Sequence, residues 1–339
     1  MADLLAPAET LAAPRRAWAG PLAALLALGA LAFLPAVAEA VGNPALTTTA
    51  TRILIFAIAA TSLNLALGYG GMVSFGHAAY YGIGGYVVGV LYAHFASREP
   101  LLGLVSGSDQ LLVTVPAAIL VSGLAALLLG ALSLRTRGVQ FIMITLAFAQ
   151  MLFFLFVSLK AYGGDDGLIV RRRNNFPGLN TRDDATFYWL CLAAGALWMV
   201  LLARIVRSRF GVVLGGIRQS ERRMVAIGIP VYRYKLVAFA ISGAGAGLAG
   251  SLMANYARFV SPDMLHWTTS GELMIMVILG GTGTLFGPAI GAAALVGVEG
   301  LLAAWTEHWQ AIFGPLLILV VLFSRGGLLG LLRLTGRAR

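Results

Sequence analysis

The sequence predicts an all-α polytopic membrane protein with about ten transmembrane spans, two of its segments interrupted by glycine. Three observations carry that prediction. Of 339 residues, 59% are hydrophobic and 11% charged, with mean hydropathy +0.86. Apolar runs of about 20 residues recur along the chain, separated by short polar connections. A ten-span path also places 16 of the 24 lysines and arginines on one side of the membrane, against Asp3, Glu9 and Glu221 as the acids there. The net charge of +10 follows this sorting. No basic stripe interleaved with exposed aromatics accompanies it, which argues against nucleic acid as a partner. The single cysteine, Cys191, lies in an apolar run and excludes an internal disulfide.

The elements follow in order. Residues 1–17 form a polar lead ending in Arg15 and Arg16, and Trp18 to Ala38 is the first span. Ala38-Glu39-Ala40 resembles a signal-peptidase site, but the apolar run before it exceeds the usual length of a signal core, so an uncleaved helix is expected. Span two covers Ile53 to about Met72 and span three about Phe75 to Ala96. Spans four (Leu111 to Leu134) and five (Val139 to Leu159) are separated by little more than Arg135-Thr136-Arg137. A polar loop from Lys160 to Thr186, carrying Asp165, Asp166 and Arg171 to Arg173, precedes span six, Phe187 to Val206. Span seven is Leu236 to Tyr256, spans eight and nine divide Gly271 to Trp305, and a short tenth runs from Trp309 to Phe323. Residues 18–323 thus form one transmembrane domain, with a basic tail at 324–339, and ten spans put both termini on the cytoplasmic side.

Arg204 to Lys235 is the one long polar segment, with eight Lys or Arg residues against Glu221, so it belongs on the cytoplasmic side. Phe210, Val213, Leu214 and Ile217 share one face of a short helix. Ser220 can cap a second helix from Glu221 to Ile227, Gly228 suits the position that ends it, and Pro230 is expected to prevent restart. Two capped helices between spans suit a docking surface; a solvated, lipid-facing basic loop is the alternative.

Two glycine-rich breaks interrupt the spans. The first holds glycines at 68, 70, 71, 76, 82, 84 and 85, too many for an uninterrupted helix at about 1 kcal/mol each relative to alanine. The second runs from Leu279 to Gly291. Leu67-Gly68-x-x-Gly71 matches Leu279-Gly280-x-x-Gly283, and Phe75-Gly76-x-Ala78 matches Phe286-Gly287-x-Ala289 one residue closer. Paired interrupted spans are the mark of a transport pathway between repeats, and tight helix packing is the competing reading. On the first reading the path passes Asn64, Gly68, Gly71, Ser74 and His77 on one side and Gly280, Gly283 and Gly287 on the other. Free N–H groups and carbonyls at the breaks would then meet the two charges of a zwitterion. Glu299 is placed either on this path or in a polar interior contact, and Glu272 either on it or at the interface.

Other chemistry is absent from the pattern. Gly245-x-Gly247-x-x-Gly250 lies in an apolar span, follows no strand and reads as packing. Neither Lys160 nor Lys235 follows a glycine, so there is no phosphate-binding loop for ATP. His77, His94, His266 and His308 lack metal-ligand spacing, and Gly71 to Gly76 is one residue too long for a nucleophile elbow. No catalytic set, metal site or bound cofactor is expected.

Three pieces taken together resemble one family: SLNLALGYGGMVSFGHAAYYGIGGY (Ser62 to Tyr86), GIRQSERRMVAIGIPVYRYKLVAFAISGAGAGLAGSL (Gly216 to Leu252) and ILGGTGTLFGPAIGAAAL (Ile278 to Leu295). They are similar to the membrane permease of branched-chain amino-acid ABC importers, of the LivM type. The resemblance implies a second permease of the LivH type, two cytosolic ATPases that use the ATP, a periplasmic substrate-binding protein and a bacterial inner membrane as the lipid setting. It also implies that the loop within 207–235 couples to an ATPase through Gly211, Arg218, Glu221, Ala226 and Gly228. Relatives carry branched-chain amino acids, urea or short amides, or aromatic acids. Arg171 to Arg173 match no family pattern. A stand-alone ion- or proton-coupled transporter and an intramembrane enzyme are the rival classes; the two-helix cytosolic loop argues against the first, and the lack of a paired nucleophile and base against the second.

Overall fold

A computed structural model describes residues 31–100 and 106–303, together with positions 29, 314, 315, 327 and 328. The polar lead, most of span one, all but two residues of the tenth span and all but two of the basic tail lie outside these. The chain divides into two units, residues 1–46 and 47–339. In the first, α1 (Leu34–Ala40) starts with Pro35 in its opening turn, where a missing N–H costs nothing. It is followed by a turn in which Gly42 takes a φ of 69° and the Asn43 side chain accepts from Ala45 N at 3.2 Å.

The second unit opens within α2 (Ala45–Asn64), which runs into one π-helical turn, Leu65–Tyr69. Then come α3 (His77–Ser97), α4 (Leu111–Ser133), α5 (Val139–Ser158), α6 (Asp184–Arg207), α7 (Arg209–Gln219), α8 (Glu221–Ala226), α9 (Val231–Ala257), α10 (Trp267–Gly280) and α11 (Gly287–Ala303). Among the described residues, α2 with its π turn, α4, α5, α6 and α9 are long and apolar enough to cross a membrane. α10 has 14 residues and α11 has 17; at about 1.5 Å per residue both fall short of a hydrocarbon core of about 30 Å. The chain is a polytopic all-α membrane protein, with two short helices where spans eight and nine were expected.

The helix ends sort into two sets. At one end, β1 (Leu168–Ile169) pairs antiparallel with β2 (Phe259–Val260), just past the end of α9. There also Leu111 N donates to Asn175 O at 2.8 Å, Arg172 pairs with Asp109 at 2.7 Å, Arg173 with Asp184 at 2.6 Å, and His94 meets Tyr162 at 3.1 Å. At the other end Tyr232 donates to Ala131 O at 2.8 Å, Arg137 lies 3.9 Å from Glu221, and Lys235 pairs with the same Glu221. Consecutive helices from α3 to α6, and α9 after them, therefore alternate in direction. The basic segment and Arg135 to Arg137 share one end, as the charges predicted for these two segments; the lead and nearly all of the tail, expected there too, lie outside the described residues.

α9 is the helix the others pack on, because its small residues let backbones touch. A Cβ at Gly247 would strike Ser122 of α4, and one at Gly250 would strike the Tyr81 carbonyl of α3. The Gly245-Gly247-Gly250 pattern is thus a packing face. α4 buries Thr114, Ala118, Ser122, Ala126 and Gly130, one small residue per turn, and leaves Leu120, Leu124 and Leu128 exposed toward hydrocarbon. α9 starts at Val231, directly after Pro230. The expected stop at Pro230 is corrected: with fixed φ and no N–H to lose, proline suits the position just before a helix.

Candidate functional site

Both glycine breaks are real, and they meet. α2 ends in its π turn, Gly71 takes a φ of 67°, and helix resumes at His77. α10 ends at Gly280, Gly281 and Gly283 take φ values of 120° and 74°, and helix resumes at Gly287. Gly71 and Gly283, equivalent in the sequence repeat, therefore share the left-handed conformation that favours glycine. Asn64, 2% exposed, bridges the two: its Nδ2 donates to Thr284 O at 2.8 Å and its Oδ1 accepts from Gly283 N at 3.0 Å. Contact is close enough that a Cβ on Gly68 would collide with both Asn64 and Gly283 N.

From α7, Arg218 enters the same junction. Its guanidinium donates to the carbonyl of Gly68, its stem runs beside Gly71, and a Cβ on Gly283 would lie 2.8 Å from its Nη1. Glycines at 68, 71 and 283 leave the room this side chain occupies.

The break donors are largely engaged within the chain. Gly76 N donates to Ser74 Oγ at 3.1 Å, Phe75 N to Thr145 Oγ1 at 3.3 Å, Ala78 N to Ser270 Oγ at 2.8 Å and Gly287 N to Thr284 Oγ1 at 3.1 Å. The expectation that open N–H groups line the path is therefore corrected, because hydroxyls of the breaks themselves (Ser74, Thr284) and of neighbouring helices (Thr145, Ser270) cap them. Ser74 is fully buried in this role. His77 is fully buried as well, edge-on to Tyr80 and Phe239. The Ser242 hydroxyl gives its one proton to Ser62 O, so His77 Nε2, 2.6 Å from it, is the donor of that pair, and Nδ1 is left without a partner. His77 is a core residue between α3 and α9 rather than a wall of the junction. Gly280 packs on the backbone of Gly287 and Gly291. Glu299 is not at the breaks at all: both its carboxylate oxygens accept from Arg52 Nη2, at 3.0 and 3.1 Å. Arg52, next to the apolar run that opens at Ile53, was missed because it reads as a flank of span two.

The two-helix segment matches its sequence reading. Leu214 and Ile217 are buried, Phe210 stacks on Tyr234 at 5.4 Å, and Ser220 accepts from Arg223 N to open α8. Gly228 (φ 84°) closes α8 with two bonds, Gly228 N to Val225 O at 2.9 Å and Ile229 N to Met224 O at 3.0 Å, the paired closure of a Schellman motif. Its outward surface carries Val212 at 71% exposure, Val225 at 58% and Ile227 at 71%, with Ala226 and Gly228 exposed between them. Of the predicted coupling residues, Gly211 is a contact point inside the fold, where a Cβ would strike Val206, and Glu221 is held by Lys235 and Arg137. Val212 escaped the sequence reading because it lies off the apolar face of α7. Among the described residues no cluster of His, Cys, Asp or Glu could hold a metal.

Residues 45–322 match the family model for the permease component of branched-chain amino acid transport systems. The chain is 29% identical to the high-affinity branched-chain amino acid transport system permease protein LivM of Salmonella typhimurium, over 84% of this chain and 70% of the relative. It is 28% identical to the LivM protein of Escherichia coli over the same shares, and 25% identical to the E. coli permease protein LivH, over 81% of this chain and 91% of that one. No solved structure matches.

Proposed function

The chain belongs to the permease family of branched-chain amino acid transport systems, and we propose that it imports branched-chain amino acids as one of two related permease subunits, the other of LivH type. In this reading the basic end faces the cytoplasm of a bacterial cell, both termini lie on that side, and residues 18–323 form the permease domain. Two cytosolic ATPases use ATP, and a periplasmic binding protein delivers substrate to the opposite end. α7 and α8 are the seat of one ATPase, with Val212, Val225, Ala226, Ile227 and Gly228 as the contact surface.

The observation that supports this reading most is Arg218. A residue of the docking segment holds a carbonyl inside the junction of the two breaks, so displacement of α7 acts on the junction without any intermediary. The junction of Asn64, Gly68, Gly71, Gly283 and Thr284 is then the cytoplasmic closure of the path rather than an open wall of it. Reconstitution with the partner subunits and binding protein tests the proposal. Uptake of labelled leucine should require ATP, and Arg218→Ala should lower uptake while ATP hydrolysis continues. Uptake driven by a proton or ion gradient without ATP would refute it.

A further inference from the structure

A second group of charges sits on the face of α2, α10 and α11, away from the junction. Arg52 lies 16 residues before Gly68 and Glu299 lies 12 after Gly287, which places them about 24 and 18 Å along their helices from the breaks, toward the β1–β2 end. Glu272, eight residues before Gly280 and so about 12 Å along α10 from the second break, lies on the same side of it, on a helix that packs against α11. The Arg52 guanidinium also stacks over Phe56, with 5.6 Å to the ring centroid.

Two properties of the trio point beyond helix packing. The Arg52 and Glu299 side chains keep 37% and 21% of their surface. Charged surface is excluded from hydrocarbon, and Arg52 stands at the flank of the apolar run that opens at Ile53, so that free surface faces water or a polar partner rather than lipid tails. The group also holds one cation and two carboxylates, so pairing Arg52 with Glu299 leaves Glu272 without a counter-charge among them.

We propose that Arg52, Glu272 and Glu299 form an outer substrate station, in which Arg52 takes the α-carboxylate and Glu272 with Glu299 takes the α-ammonium of a zwitterionic amino acid. This rests on the amino-acid reading above and deepens it. A zwitterion can exchange into the Arg52–Glu299 pair without stranding a charge: Arg52 trades one carboxylate for another, and the released Glu299 receives the ammonium. Planar guanidinium geometry suits the carboxylate. The station reads the head group common to all amino acids, which leaves discrimination of side chains to the delivering protein.

The test uses the complete importer in proteoliposomes, with labelled leucine uptake as the readout and co-purification of the ATPases as the check on assembly. Arg52→Gln and Glu272→Gln should each lower uptake about tenfold or more, the loss expected when a charged hydrogen bond is removed. The swapped pair Arg52→Glu with Glu299→Arg keeps an ion pair between α2 and α11 but reverses it for the substrate, and its uptake should stay as low. Recovery to the wild-type rate in the swapped variant, or normal uptake in Glu272→Gln, would overturn the proposal and leave a structural ion pair. If Arg52→Gln fails to assemble, the other two variants still decide. A wild-type complex that takes up no amino acid fails the functional reading itself and the station with it; a wild-type complex that transports, with variants that transport equally, fails the station alone.

Discussion

Replacing Asn64 by alanine should loosen the junction of the two breaks by an amount that its hydrogen bonds set. The side chain satisfies the Gly283 N–H at 3.0 Å and the Thr284 carbonyl at 2.8 Å. Leaving a buried polar group without a partner costs about 1–3 kcal/mol, so losing both bounds the effect at about 2–6 kcal/mol. Gly283 and Thr284 are only half-buried, and water can take up part of the loss, which brings the expected cost to about 2–3 kcal/mol. Amide hydrogen exchange of the purified complex reads this directly, because exchange through local opening scales with the opening constant. Over the peptide spanning residues 279–287, exchange should accelerate by about 30- to 150-fold, with little change in α4 and α5. Asn64→Asp should behave no better: it keeps an acceptor for Gly283 but loses the donor and sets a negative charge against the Thr284 carbonyl. Equal exchange rates in Asn64→Ala and the wild type would refute the view that this residue holds the breaks together.

Three further outcomes follow from the same geometry. Glutamate at Val212 or Ile227, both 71% exposed, should prevent co-purification of the ATPase while leaving the permease in the membrane; retention by both variants would move the docking surface elsewhere. In a Cys191→Ser background, cysteine at Thr282, which is exposed, should react with a small water-soluble thiol reagent, and cysteine at the fully buried Ser74 should not. These probes are preferable to cysteine at Gly71 or Gly283, whose left-handed backbone any side chain would strain. At the other end, Arg171→Glu should slow delivery from the binding protein most at low salt without loss of thermal stability. Arg173→Glu should instead lower the unfolding temperature, because Arg173 holds Asp184, the Thr181 and Arg182 carbonyls and the Phe187 ring.

The parts of this structure legible in the sequence are those specified locally. Apolar runs fixed the positions of α4, α5 and α6 to within a few residues, and Ser220 and Gly228 marked the limits of α8 because capping needs a hydroxyl at one end and a left-handed residue at the other. The paired glycine motifs announced two breaks with matching conformations at Gly71 and Gly283. Long-range partners were not legible. Arg218 meets Gly68 across 150 residues, and neither carries a local sign of the other. Arg233 and Lys235 looked like loop charges, yet both lie in α9, where Lys235 neutralises Glu221. The open N–H groups expected at the breaks are capped locally by Ser74 and Thr284, two and three residues away, and across the fold by Thr145 and Ser270, ordinary residues in their own segments whose role depends on tertiary approach.

Asn64 and Arg218 together bound how tightly the junction is shut. A hydrogen bond to a charged donor contributes about 1.5–3 kcal/mol, and the lower part of that range applies to Arg218 because much of the residue is exposed. Added to about 2–3 kcal/mol for Asn64, the closure amounts to about 3.5–5 kcal/mol, or spontaneous opening on the order of once in 10³. Asn64 bonds Gly283 and lies against Gly68, and Arg218 bonds Gly68 and lies against Gly283, so their effects should couple rather than add, and this sum is an upper bound. Moving α7 withdraws the Arg218 share first, and the Asn64 bridge then holds alone at a tenth or less of its former resistance. On the proposed coupling to an ATPase, removing both should open the junction without ATP. The double variant Asn64→Ala, Arg218→Ala is expected to pass leucine down its gradient in proteoliposomes lacking ATP, faster than either single variant. An ATP-independent flux no higher than that of the wild type would show that the cytoplasmic closure lies outside this junction.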